Sequence, residues 1–433
     1  MATEGSQEAP RQARALALAR HPKLWLFPTV LCGLLAVVLS LLYMGGIVNP
    51  TGHLHRLPIA LVNADRGAPP PGQPANLGTQ LAKAIVAGTP DSTVDWRQVD
   101  EAGVREQLAS GKVYGALVVP EDFTDSVTAL VTGGATARPT VTVLTNPGLG
   151  SLGSSMAAQI AQNAAHQASQ AAGRELLAAV PPATTPGPDA GATARLLLAD
   201  PFAVATQVGH PIGSHSGLGL SAFYFTLLAV LTGFIGGNII HNGVDGALGY
   251  SDSEIGPWHT RRPTVPINRT QTLLLKMIMT AGIMLITTSL VMFGAVGVLG
   301  MDAPHQPMLW LFTYCASLAV GLGVQAINAA FGGIGQLVSM FVFIALALPS
   351  SGATVPLQAV PGFYRFLSVF EPMRQLSDGI RAILFFDARA DAGLARGWIM
   401  IAIGVVLALL FGFGMTRYYD RKGLHRWTPQ PTD

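Results

Sequence analysis

Six apolar runs of the length that crosses a bilayer recur along the chain, at 24–48, 218–240, 272–299, 309–331, 334–350 and 398–416. A helix spanning the hydrocarbon core needs about 20 apolar residues, so each run predicts a transmembrane helix. The fourth and fifth are separated only by Phe331-Gly332-Gly333-Ile334-Gly335, a stretch suited to a tight turn. Between the first and second runs the pattern changes. Residues 49–217 alternate short apolar, strand-like stretches with stretches of helical spacing. Strands are expected at Leu57–Asn63, Val94–Val99, Val113–Val119 and Thr140–Thr145, with helices at 76–87, 101–110 and 124–131. A long Ala/Gln/Ser-rich helix follows at about 150–180, with a weak stripe of Met156, Ile160, Ala164 and Ala168 that suits a stalk or a lid. Pro181–Ala192 is a break, and 193–208 reads as a second helical piece. The expected architecture is a membrane α-helical protein with six transmembrane helices and an α/β domain inserted between the first two.

Composition agrees with this pattern. Of 433 residues, 12% are charged and 50% apolar, and the mean hydropathy is +0.42. A soluble chain carries about 25% charged residues. The net charge of +2 and the lack of a basic patch with interleaved aromatics speak against nucleic acid. Cys32 and Cys315 both fall in apolar runs, as packing residues rather than a disulfide pair.

Orientation follows the distribution of Lys and Arg, which favours the cytoplasmic side. Arg11, Arg14, Arg20 and Lys23 precede the first run; Arg261, Arg262 and Arg269 lie in 241–271; Arg417, Arg421, Lys422 and Arg426 follow the last run. The opposite loop 300–308 has neither. Both termini of this multi-pass plasma-membrane chain are therefore expected in the cytoplasm, and 49–217 outside. The first run ends in Met44-Gly45-Gly46-Ile47-Val48 without an A-x-A site, which fits an uncleaved anchor better than a signal peptide. The outer loop 349–397 opposes the rule with five arginines, but Glu371, Asp378, Asp387 and Asp391 lie among them and allow local pairing. The resulting division is 1–23 cytoplasmic, 24–48 first helix, 49–217 outer domain, 218–416 five-helix transmembrane region with the outer segment 349–397, read as a re-entrant hairpin or an interfacial helix, and 417–433 cytoplasmic tail.

Candidate chemistry is sparse. H-E-x-x-H, G-x-S-x-G and a P-loop are all absent from the sequence, so no enzyme, cofactor or metal role is expected; His53, His55, His210 and His215 lack suitably spaced partners. The six runs hold no Asp, Glu or His in their interiors, and Lys276 sits near a helix end, where its stem can snorkel. Polar positions in the runs, Gln325, Asn328, Gln336, Thr287 and Thr288, would either join helices or line a path. Gly233 and Gly237 form a small-xxx-small pair. In the outer segment, Phe370, Pro372, Asp378 and Arg381 are the expected gate; the spacing of three allows Asp378 and Arg381 to pair. Asn63, Asp65 and Arg66 would form a turn that either closes on its own side chains or meets a ligand.

The stretches "LPIALVNADRGAP…NLGTQL", "VYGALVVPEDFT" and "SGATVP…PGFYRFLSVFEPMRQLSDGIRAILF" resemble the YhgE/Pip (phage infection protein) family, which is also similar to the yeast nitrosoguanidine-resistance membrane proteins. The order of spans resembles an ABC type-2 permease. That resemblance implies an export-type membrane domain, a homodimer and a separate ATPase docking on the Arg20–Lys23 approach and on 241–271. The function expected is a permease subunit that exports or extrudes a small amphipathic or lipid-like molecule from the bilayer; the alternative is a non-transporting envelope receptor, scaffold or assembly factor acting through the outer domain.

Overall fold

A computed structural model describes residues 22–131, 138–179 and 199–426. The N-terminal residues 1–21, the break at 181–192, the first part of the piece at 193–208 and the tail beyond 426 lie outside the described residues.

Helix α1 (Pro22–Gly45) leads into a five-stranded mixed sheet. Strands β1 (Leu57–Asn63), β2 (Val94–Gln98), β3 (Gly115–Val119), β4 (Thr140–Thr145) and β5 (Ala203–Val208) lie in the order β2-β1-β3-β4-β5. β1 pairs in parallel with β2 and β3; β4 runs antiparallel to β3, and β5 parallel to β4. All of β1 except Asn63 is buried, as a central strand covered on both faces requires. Helices α2 (Leu77–Gly88), α4 (Phe123–Val131) and α5 (Ser151–Ala179) cover one face through Leu81, Ile85, Phe123, Val127 and Ala161, joined by Phe202 just before β5. Helix α3 (Glu101–Ala109) seals the other with Val104 and Leu108.

Two expectations are corrected here. The piece read as helix through 208 contains β5, an edge strand paired residue by residue with β4. The Ala-rich α5 is neither stalk nor lid. Ala157, Ala161, Ala165 and Ala168 are buried against the module, since small side chains let a helix lie close to a sheet.

The helical region comprises α6 (Ser221–Ala247), a short hairpin of β6 (Ser253–Ile255) and β7 (Trp258–Thr260), α7 (Arg269–Met292), α8 (Gln306–Phe331), α9 (Gly335–Met340), α10 (Ala347–Ser350), α11 (Gly362–Phe370), α12 (Pro372–Phe385) and α13 (Leu394–Arg421). Among the described residues, five helical stretches are long and apolar enough to cross a membrane, and the fourth, Gln306–Ser350, is 45 residues long. That stretch folds back on itself at Gly332, whose φ of 59° suits glycine. After the turn Gly335 lies against Asn328, and the Phe343 ring lies against Gly323. The two helical segments run antiparallel about this tight turn.

α8 sits at the centre of the bundle. Gly233 and Gly237 on α6 face Ser317, Val320 and Val324 on α8, so the small-residue pair marks a helix crossing. Gly379 on α12 and Gly397 on α13 both lie against the Phe312 ring. By contrast α1 is almost bare, with Leu26, Val30, Leu34, Val37 and Leu41 exposed. It is held near its C-terminal end, where the Tyr364 hydroxyl donates to the Leu41 carbonyl at 2.9 Å.

The sheet module and the bundle share a core: Leu57, Ile59, Val94 and Met156 pack with Val355, Ala359, Val360 and Tyr364. Beside it runs a strap of surface charges. Lys112 pairs with Asp391 at 2.8 Å, and Arg389 pairs with Asp391 at 3.2 Å and with Glu106. Hydrogen bonds from Lys112 and then Arg389 hold the Asp391 carboxyl down at about 2. A lowered acid pKa favours the folded form above its ordinary value of 3.8, and that contribution is lost as pH falls to about 2. Hydrogen exchange should therefore show 101–112 loosening between those limits in the native chain, with a smaller acid response in Asp391→Asn.

Candidate functional site

α6 does not stop at 240, where its hydropathy falls; it continues to Ala247. The added turns carry His241 and Asp245, four residues apart and so on one face. This face meets Lys276 on α7. The Lys276 Nζ donates to Asp245 Oδ1 at 2.7 Å and to His241 Nδ1 at 2.9 Å. With Nδ1 accepting, His241 carries its proton on Nε2, which faces Asp245 Oδ2 at 3.3 Å. Arg426, beyond the end of α13, closes the set with a bidentate pair to Asp245 at 2.8 and 2.9 Å. Its guanidinium also lies over the Tyr250 ring, 4.6 Å from the centroid.

Lys276 is 3% exposed and Asp245 4%. The expected snorkelling of Lys276 is thus corrected: its ammonium is buried and ion-paired. No Asp, Glu or His lies within the six runs, but α6 continues seven residues past the second run and carries His241 and Asp245 into the packed end of the bundle. Ionisable groups within apolar helices are costly, and they characteristically mark functional sites.

These groups form one wall of a cavity of about 490 Å³ at the end of the bundle away from the sheet. Arg269, Lys276 and Arg426 line it against the one carboxylate Asp245. Asn328 and Gln336 line it too, so two of the five expected path residues reach it. Gln336 donates to Asn242 at 2.8 Å, and Asn328 to Asn238 at 3.0 Å. Gln325 sits deeper, fully buried, where its amide joins α8 to the Gly237 carbonyl at 2.9 Å and to Thr280 at 3.3 Å. Thr287 and Thr288 do not line this cavity. The Thr287 hydroxyl donates to Ile283 in its own helix at 3.1 Å, and Thr288 is fully buried.

At the other end, Phe370 is exposed at the end of α11, and Pro372 opens α12, where Glu371 caps the Met373 amide. Arg381 is buried. Its firm partner is the Ala353 carbonyl, which accepts from Nη2 at 2.7 Å; Asp378 is more distant, at 3.7 Å, and is shared with Arg396 at 3.8 Å. A charge swap of Asp378 and Arg381 would therefore set a carboxylate against a carbonyl oxygen. Its expected outcome is no recovery over Arg381→Ala in thermal unfolding of the purified protein.

The Asn63–Arg66 turn closes on itself. Asp65 accepts from the amides of Gly67, Gly78 and Thr124 and from the Thr124 hydroxyl, which occupies the acceptor capacity of its carboxylate. Asn63 donates to Thr79 at 3.1 Å, and Arg66 pairs with Glu121 at 2.8 Å on the surface. The turn thereby fixes the start of α2 against β1 and α4.

Comparison with known proteins places this arrangement. A stretch of 112 residues, 26% of the chain, is 26% identical to "Uncharacterized protein YhgE" of Bacillus subtilis (strain 168). That stretch spans 14% of the Bacillus protein's length, and it supports the YhgE-like resemblance. No solved structure matches. Residues 28–404 match the family DUF3533, described as a protein of unknown function, and the chain belongs to that family.

Proposed function

We propose that the chain is a multi-pass permease subunit of the plasma membrane, exporting an amphipathic, lipid-like molecule with a separate ATPase. The observation that carries this reading is the cavity walled by Asn328, Gln336, Lys276 and Arg426 inside an otherwise apolar bundle. An amphipathic cargo needs such a polar recess for its headgroup and apolar helix faces for its tail. In this reading six spans of ABC type-2 topology put the charged cavity on the cytoplasmic side and residues 49–217 outside. An anionic headgroup entering the cavity would compete with Asp245 for Lys276 and Arg426. Transport further requires that the cargo bind this form and a second form of the cavity unequally. The chain's sequence has no P-loop, so a partner must supply ATP hydrolysis.

The test uses the full chain in its own cells with NBD-labelled phosphatidylglycerol as probe. Efflux should fall in Gln336→Leu and in the deletion strain, and an ATP-hydrolysing subunit should co-purify. Unchanged efflux on deletion, with no such subunit, would instead favour the envelope scaffold. That alternative has its own support in an apolar groove of about 310 Å³ on the sheet module, lined in part by Leu77, Leu81, Phe123 and Phe202.

A second copy is the proposed homodimer partner, packed on the bare face of α1. Cys32 is exposed on that helix. Copper-phenanthroline oxidation of Cys315→Ala in native membranes should give a disulfide-linked dimer through Cys32. A product that stays monomeric would remove this part of α1 from any interface.

A further inference from the structure

A second cavity, of about 210 Å³, lies between the sheet module and the bundle, remote from the cavity described above. Its wall is strongly cationic. Arg97 on β2 and Lys112 after α3 come from the module; Arg374, Arg381 and Arg396 come from α12 and the start of α13. Arg374 and Arg381 are seven apart on α12 and so share a face. Among the described residues Asp378 is the one carboxylate lining the cavity, divided between Arg381 and Arg396 at 3.7 and 3.8 Å. Arg97 and Lys112 have carboxylates of their own in Asp95 and Asp391. Among the described residues Arg374 forms no ion pair, and its guanidinium donates to the Ser368 hydroxyl at 3.2 Å. Arg381 is 4% exposed, and its Nε has no hydrogen-bond partner.

Buried cationic groups are costly unless an anion and its acceptors meet them. Of the three guanidinium groups around the shared carboxylate, Arg381 is the buried one, and its Nε is the donor left over; Arg374 and Arg396 are more exposed and can turn toward an incoming anion. A phosphate group offers more acceptor oxygens than a carboxylate and matches the guanidinium fork. The volume is below the roughly 300 Å³ of a drug-sized site, which suits a compact headgroup with the rest of the ligand outside.

We propose that Arg374, Arg381 and Arg396 form a binding site for a phosphate group, carried either by a lipid headgroup or by a water-soluble ligand. The site does not depend on transport; a scaffold could use it equally. Calorimetry on the full chain in a neutral maltoside detergent tests it with three probes: dihexanoyl phosphatidic acid, dihexanoylglycerol and inorganic phosphate. Phosphatidic acid and inorganic phosphate should both bind, and tighter binding of the phosphatidic acid would assign the site a lipid headgroup. Dihexanoylglycerol should not bind measurably. Arg374→Gln and Arg396→Gln, at positions less buried than Arg381, should each weaken phosphatidic acid by about tenfold through loss of a charge-assisted pair. Equal binding of inorganic phosphate, lost in the same variants, would support the phosphate site and assign it a water-soluble ligand. No binding of either phosphate-bearing probe, or binding unchanged in both variants, would overturn the proposal.

Discussion

Asp245→Leu, with Lys276 left in place, is expected to destabilise the folded protein by about 3–5 kcal/mol, the usual cost of removing one partner from a buried ion pair. Asp245 is the common acceptor for Lys276, Arg426 and His241. Without it the Lys276 ammonium keeps only His241 Nδ1 as a hydrogen-bond partner, at 3% exposure. Arg426 is 27% exposed at its side chain and can turn toward water, so the main loss falls on Lys276. The double change Asp245→Leu with Lys276→Met should recover much of the stability, because apolar residues often replace a buried pair without penalty. Thermal unfolding of the detergent-solubilised chain would measure both. If the single change proves neutral, the Asp245–Lys276 contact is not a buried pair. If the double variant is stable but inactive in efflux, the cluster is retained for function rather than for folding.

Gly233→Leu should also be strongly destabilising, at about 1–3 kcal/mol or more, as expected for overpacking a tight contact. A Cβ at this position would lie 2.5 Å from the Ser317 carbonyl oxygen and 2.8 Å from the Val320 Cβ. Backbone cannot retreat as a flexible side chain does, so α6 and α8 would have to separate. Their contact is also bridged by Ser317, whose hydroxyl donates to the Ala229 carbonyl at 2.9 Å, and by Gln325. Gly282→Ala on α7 supplies a control in the same region. Nothing lies within 4 Å of its added methyl, and the change should be neutral or stabilising by up to about 1 kcal/mol through helix propensity. Similar losses at both glycines would show that helix crossing is not what Gly233 serves.

The sheet module was legible where burial and propensity agree. β1 and β4 run over the residues their patterns predict, since an apolar central strand and a Val/Thr alternation are strong local signals. β5 was not legible. Its sequence AVATQV is small and polar, and half of the strand is exposed; pairing with β4 makes it a strand. The charged cluster was hidden for a related reason. Local hydropathy falls at His241, but burial there is imposed by Lys276 and by Arg426, 181 residues from Asp245. A usable signal was present: His241 and Asp245 at i,i+4, near the end of one span, opposite the lone Lys276 of the next. Asn328 and Gln336 were legible as polar groups needing partners, and the fold brings both to the cavity. Thr287, equally polar, satisfies itself on its own helix, an outcome spacing alone does not distinguish.

The measurement closest to the centre of this account is the sidedness of two engineered cysteines in a Cys32→Ala, Cys315→Ala background. Ser92 is exposed on the sheet module, and Ser251 is exposed beside the charged cavity. With a membrane-impermeant maleimide on intact cells, Ser92→Cys should label and Ser251→Cys should label only after the cells are opened. Labelling of both in intact cells, or of Ser251→Cys alone, would contradict a bilayer lying between the module and the cavity.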